Sequence, residues 1–176
     1  MFRISLVYGS VSGLVVILGL LAGIVVFDGA THTSSEYYGY SVMILALSSI
    51  FLGVRRYRDG EKGGVIKFLP AFLLGIGISV VAGIIYCAVW EIYLAATGYQ
   101  FMDKYIAGVI AAKKAHGVAG AALAKQIAEL NAMKVEYANP LFRVPMTFVE
   151  IFPVGLVISL LSALVLRNPR VLPARA

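Results

Sequence analysis

Four apolar runs, each near the length needed to cross a bilayer, decide what this chain can fold into. A spanning helix takes about 20 mainly apolar residues. The runs are Ile4 to Phe27, about Tyr38 to Val54, about Phe68 to Ala95, and about Met146 to Leu166. A closed β-barrel would instead need many alternating segments of about 10 residues, and the sequence has no such pattern. Hydrophobic residues make up 60% of the 176 and charged residues 14%, against about 45–50% and about 25% in soluble domains. A water-soluble fold of this size could not hide so much apolar surface. The expected class is an all-α integral membrane protein, a four-transmembrane-helix bundle forming a single membrane domain over residues 1–176. The first run exceeds the roughly 7–15 apolar residues of a signal peptide. It is followed by Asp28-Gly29-Ala30-Thr31 with no small-x-small cleavage site, so it is read as a retained span.

Basic residues in short loops set orientation. The segment Asp28 to Tyr37 has Asp28 and Glu36 but no Lys or Arg. The segment after the second run holds Arg55, Arg56, Arg58, Lys62 and Lys67, the tail holds Arg167, Arg170 and Arg175, and Arg3 precedes the first run. Cytoplasmic N- and C-termini place all three basic segments on one side. Lys104, Lys113, Lys114, Lys125, Lys134 and Arg143 fall between runs three and four, but charge in a segment of about 50 residues constrains topology less. The net charge of +6 flanks the apolar runs without forming one basic face, which argues against a nucleic-acid partner.

The segment of about residues 100–140 has helical periodicity of its own. Leu123, Ile127, Leu130, Met133 and Tyr137 share a face, and Lys125 and Glu129 pair at i,i+4 on the opposite one. Lys134 interrupts the apolar face. Phe101 to Ile110 suggests a preceding helix continuing from span three, with His116 to Gly120 as the break. Asn139-Pro140 ends the second helix, and Pro145 precedes span four. The expectation is an extramembrane helical hairpin between spans three and four.

Small residues let helices approach closely in lipid. Ser5–Gly9–Gly13, Gly75–Ser79–Gly83 and Gly155–Ser159–Ala163 form such stripes, and Gly19 and Gly23 add another pair. They serve either packing within the chain or a homodimer seam. Tyr37, Tyr38, Tyr40, Trp90, Tyr93 and Tyr99 suit an interfacial aromatic belt or, alternatively, a ligand cage.

An ionisable group within a span is a functional candidate by default. Glu91 lies near the end of span three and Glu150 near the start of span four, both in the outer half. They suit a proton carrier or general acid. The competing reading has Glu91 snorkelling beside Trp90 and Tyr93, or pairing with Lys104 or Arg143. Pro153 lacks the donor to the Val149 carbonyl, so span four should kink about one turn from Glu150. Such a kink lines polar cavities in transporters, yet neighbours also re-satisfy it in structural spans. Arg55, Arg56, Arg58, Asp59 and Lys62, followed by Gly63-Gly64, form a candidate loop for anionic headgroups or a phosphorylated ligand. The alternative is a positive-inside anchor with a tight turn; the GK[ST] ending of a phosphate-binding loop is missing. His32 and His116 lack zinc spacing, no GxSxG is present, and Cys87 is the single cysteine. No metal, cofactor or catalytic set is expected.

Several short motifs add a resemblance. They are Tyr8-Gly9, Gly39-Tyr40, Phe51-Leu52-Gly53-Val54-Arg55-Arg56-Tyr57-Arg58-Asp59, Gly64-x-Ile66-x-Phe68, Tyr86-x3-Trp90-x2-Tyr93, Asn139-Pro140 and Thr147-Phe148-x-Glu150. In order and spacing the chain resembles, over nearly its whole length, the bacterial membrane family called domain of unknown function 4199. The resemblance implies a bacterial inner-membrane protein of four spans with an outer helical insertion, and assigns no activity. Two functions lead, the first ahead of the second, and a third trails them. One is a non-enzymatic scaffold or accessory subunit of an envelope process, contacting membrane lipids and either a second copy or a partner membrane protein. The other is a small transporter or lipid- or proton-handling protein using Glu91 and Glu150. An intramembrane enzyme using both carboxylates ranks last.

Overall fold

A computed structural model describes residues 1–26 and 32–173. Phe27 to Thr31, including Asp28, and the tail from 174, including Arg175, lie outside the described residues, as do the side chains of 25–26 and 32–36. The described elements are α1 (Phe2–Val26), α2 (His32–Leu47), α3 (Ser49–Glu61), α4 (Phe68–Ala96), α5 (Phe101–Ala115), α6 (Gly120–Tyr137) and α7 (Pro140–Leu166). Among the described residues, four stretches are long and apolar enough to cross a membrane: Phe2–Ile24, Tyr37–Glu61, Phe68–Ala96 and Pro140–Leu166. The protein is an all-α, multi-pass membrane protein.

α4 is the central helix. α1 packs along one side of it and α7 along another, while α2 lies on α1 and α3 reaches α7, α4 and α1. The small-residue stripes explain this arrangement. A methyl added at Gly13 would stand 2.6 Å from the Ala82 carbonyl oxygen, and one at Gly9 2.6 Å from Val81 Cβ, so α1 touches the α4 backbone. Gly75 meets Ser159 and Gly155 meets Ser79, which closes the α4–α7 seam. Gly19 and Gly23 lie under Val42 and the Tyr38 ring of α2. All the stripes therefore face helices of the same chain. Ser79 Oγ donates to the Gly75 carbonyl at 2.9 Å and Ser159 Oγ to Gly155 at 2.6 Å, with the two hydroxyls 3.3 Å apart. Ile17, Leu47, Ile50, Val54, Leu74 and Ile78 fill the remaining core.

Helix boundaries depart from the expected ones in three places. The second span does not end at Val54. After a one-residue break at Ser48, α3 continues to Glu61 and carries Arg55, Arg56, Arg58 and Asp59 on helix, not on a loop. Arginine is a good helix former, and nothing outside the hydrocarbon obliges a helix to stop there. The stop comes at Gly63 and Gly64, with φ of 62° and 86°. The fourth span begins at Pro140, not near Met146. Asn139 Oδ1 accepts from the Leu141 N–H at 3.0 Å, and Pro140 occupies the first turn where its missing donor costs nothing. Pro145 and Pro153 both lie inside this one helix. Finally, α5 does not continue from α4. Gly98 and Tyr99, at φ of 62° and 58°, turn the chain between them.

α5 and α6 form the expected helical pair, packed against each other and on to α2 and α7. The apolar face of α6 turns inward, half-buried from Leu123 to Tyr137. Lys134, the residue that interrupts this face, pairs with Asp103 of α5.

Candidate functional site

The hairpin does not sit flush on the bundle. Between them lies a cavity of about 260 Å³, just below the usual range for small-molecule sites. Leu20 of α1 and Tyr86 and Trp90 of α4 form one wall; Met146, Thr147 and Glu150 of α7 form another. The hairpin closes it with Phe101, Met102 and Tyr105 from α5 and Met133 and Tyr137 from α6.

Glu150 stands ten residues into α7, about 15 Å from its start at 1.5 Å per residue. Its side chain is accessible from the cavity. The Tyr86 hydroxyl donates to its Oε2 at 3.5 Å, a long and weak contact. Among the described residues no Lys, Arg or His forms an ion pair with it.

Glu91 has a different environment. Arg143 Nε donates to its Oε1 at 2.7 Å and Nη2 to its Oε2 at 2.6 Å, a bidentate pair. Arg143 also donates from Nη1 to the Tyr137 carbonyl at 3.0 Å and lies against the Tyr99 and Tyr137 rings, at 5.2 and 5.6 Å. The two carboxylates singled out in the sequence therefore do not share a site: Glu91 is tied to Arg143, and Glu150 faces the cavity. Early helix formation at Pro140 is what brings Arg143, 52 residues away, over Glu91.

Trp90 belongs to the cavity wall. Its indole Nε1–H donates to the Tyr137 hydroxyl at 2.8 Å, and its ring stacks on Tyr93 at 5.3 Å and meets Phe101 edge-on at 4.8 Å. Burial raises the pKa of the Tyr137 hydroxyl above its ordinary value, so it stays protonated. The aromatic residues expected at one boundary are divided. Tyr37 and Tyr40 face outward, whereas the Tyr38 hydroxyl donates to the Gly19 carbonyl inside the bundle at 3.0 Å.

At the opposite end, Arg58 is fully buried. It donates to Asp59 at 2.7 Å, to the Val171 carbonyl at 2.9 Å and to the Leu172 carbonyl. Arg55 also reaches Asp59, at 3.4 Å. Arg58, paired with Asp59, holds the chain's own tail, while Arg56 and Lys62 are exposed, the latter over the Tyr57 ring at 5.6 Å. The glycines that follow terminate α3. Arg58→Ala should orphan those tail carbonyls, at a cost of about 1–3 kcal/mol. Trypsin cleavage at Arg167 and Arg170 should then outpace that of the unaltered protein; equal rates would show that the tail is held elsewhere.

The model of a family described as protein of unknown function (DUF4199) matches residues 7–168. The chain belongs to the DUF4199 family. No curated protein and no solved structure matches it. Four of the residues that carry the resemblance to DUF4199, namely Tyr86, Trp90, Thr147 and Glu150, line the cavity. Its other walls come from α1 and the hairpin, and short motifs gave no sign that these elements converge.

Proposed function

We propose that this protein is a non-enzymatic membrane binding protein whose cavity receives a small amphiphilic molecule, or the head of a larger one, from the envelope. The observation that carries this reading is an aromatic- and methionine-lined cavity with an accessible carboxylate, Glu150, on its wall. A structural carboxylate at that depth would be expected to have a cationic partner, as Glu91 has in Arg143. Of the two functions in view, this is the lipid- or solute-handling one, carried by Glu150 without Glu91. The scaffold reading receives less support, because the small-residue seams it could have offered a partner are filled by helices of this chain.

Ligand occupancy should appear as stabilisation, since a ligand at 100 times its Kd adds about 2.7 kcal/mol to the unfolding free energy. In thermal unfolding of the detergent-solubilised chain, short-chain amphiphiles that fit should raise Tm by several degrees. Met133→Phe, which places a ring against the cavity from α6, should cancel the rise. If nothing in a panel of cationic, neutral and anionic amphiphiles moves Tm, the reading fails.

The proposal places the protein in a bacterial cytoplasmic membrane, with both termini inside and the hairpin outside. The exposed Arg56 and Lys62 at the end opposite the hairpin support this orientation. In a Cys87→Ser background, a membrane-impermeant thiol reagent should label Glu129→Cys in intact cells but not Gly60→Cys. The reverse pattern overturns the orientation.

A further inference from the structure

The geometry points to a cavity that selects an organic ammonium group, the head of a lipophilic cation, held between the Glu150 carboxylate and the aromatic side chains of the cavity wall. This inference rests on the cavity being a binding site, and it goes further by naming the chemistry of the occupant.

Among the described residues, Glu150 is the only acidic side chain on the cavity wall, and no Lys, Arg or His lines it. The nearest basic group in sequence, Arg143, is tied bidentately to Glu91, so it presents a neutralised pair and not a free positive charge. An anionic ligand would meet Glu150 with no cation among the described wall residues to receive it. A neutral ligand would leave the charge of the carboxylate uncompensated in a low-dielectric site, a costly arrangement. A ligand acceptor would also find the Trp90 indole N–H already directed to the Tyr137 hydroxyl.

An ammonium head meets neither obstacle. Phe101, Tyr105 and Tyr137, all half-buried, supply aromatic surface from the hairpin side of the cavity, backed by the buried Tyr86 and Trp90. The faces of such rings attract cations, most strongly where water is excluded. Met133 and Met146 add polarisable, adaptable walls suited to a variable apolar remainder. A volume of about 260 Å³ accommodates a compact head and a short apolar portion, not a whole two-chain lipid. The source of the ammonium is either a free amine or the headgroup of a zwitterionic lipid.

The test compares isosteres on the solubilised full-length chain. Benzyltrimethylammonium, its carbon analogue neopentylbenzene and the anion phenylmethanesulfonate are titrated while the emission of Trp90, the single tryptophan, is followed. The cation should bind at least tenfold more tightly than the carbon analogue, and the anion should not bind measurably. Glu150→Gln should reduce the preference to less than threefold; because the comparison of isosteres needs no variant, a misfolded Glu150→Gln would leave it decisive. Competition by dihexanoylphosphatidylcholine supports the ammonium site and names a lipid headgroup as its source, whereas binding of the cation without such competition supports it and names a free amine. Equal binding of cation and carbon analogue overturns the ammonium inference while leaving the cavity a ligand site. Binding of none of the probes overturns both.

Discussion

Glu91→Gln should destabilise the protein by about 3 kcal/mol, and adding Arg143→Met should restore most of that loss. Removing one member of a buried ion pair leaves the other charge uncompensated, which typically costs about 3–5 kcal/mol. The Arg143 side chain is only 2% exposed, while that of Glu91 is 27% exposed. Loss of the carboxylate therefore strands a guanidinium that water cannot reach, and the partial exposure of Glu91 puts the cost at the low end of the range. Arg143→Met alone should cost less, because the Glu91 that remains can still be hydrated. Denaturant unfolding of the two single variants and the double variant gives the coupling energy. Coupling below about 0.5 kcal/mol, the usual limit for independent sites, would show that the pair is not the clamp described here. The same variants bear on function: ligand stabilisation should persist in the double variant, since neither residue lines the cavity.

A second large effect is expected from a single methyl. Gly13→Ala would put Cβ 2.6 Å from the Ala82 carbonyl oxygen and 3.1 Å from its Cα. Both are backbone atoms, so no rotamer change relieves the clash and α1 must back away from α4. Overpacking typically costs about 1–3 kcal/mol, and displacing a whole helix seam places this case at or above the upper figure. Gly108→Ala is the control. It lies within α5 with nothing within 4 Å of the added methyl, so it should stabilise by about 1 kcal/mol through helix propensity. Equal Tm shifts for the two substitutions would contradict the α1–α4 packing.

Much of this fold is legible in residue order because lipid makes the rules simple. Long apolar runs mark the spans, and glycine and serine at i,i+4 mark the seams. What stays hidden depends on contacts far apart in sequence. Arg143 could be named as a possible partner for Glu91, alongside Lys104, but choosing between them required knowing that α7 starts at Pro140. The apolar runs gave no warning of that start, because Leu141 to Pro145 includes a charge and a second proline. Arg58 looked like part of a basic anchor, since nothing local shows the tail returning to receive it. Trp90 fitted a boundary belt better than a ligand cage, because nothing local shows the hairpin folding over it.

The serine hydroxyls of the α4–α7 seam bear on how the molecule comes together. Ser79 and Ser159 each donate to a carbonyl one turn back in their own helix, so neither needs the other in order to be satisfied. During synthesis α4 can therefore enter lipid and wait, its polar stripe quenched internally, while the hairpin and then α7 are made. Docking then requires no exchange of polar partners, only the meeting of two smooth grooves. Docking of α7 is then the step that gives the cavity its second wall, through Met146, Thr147 and Glu150.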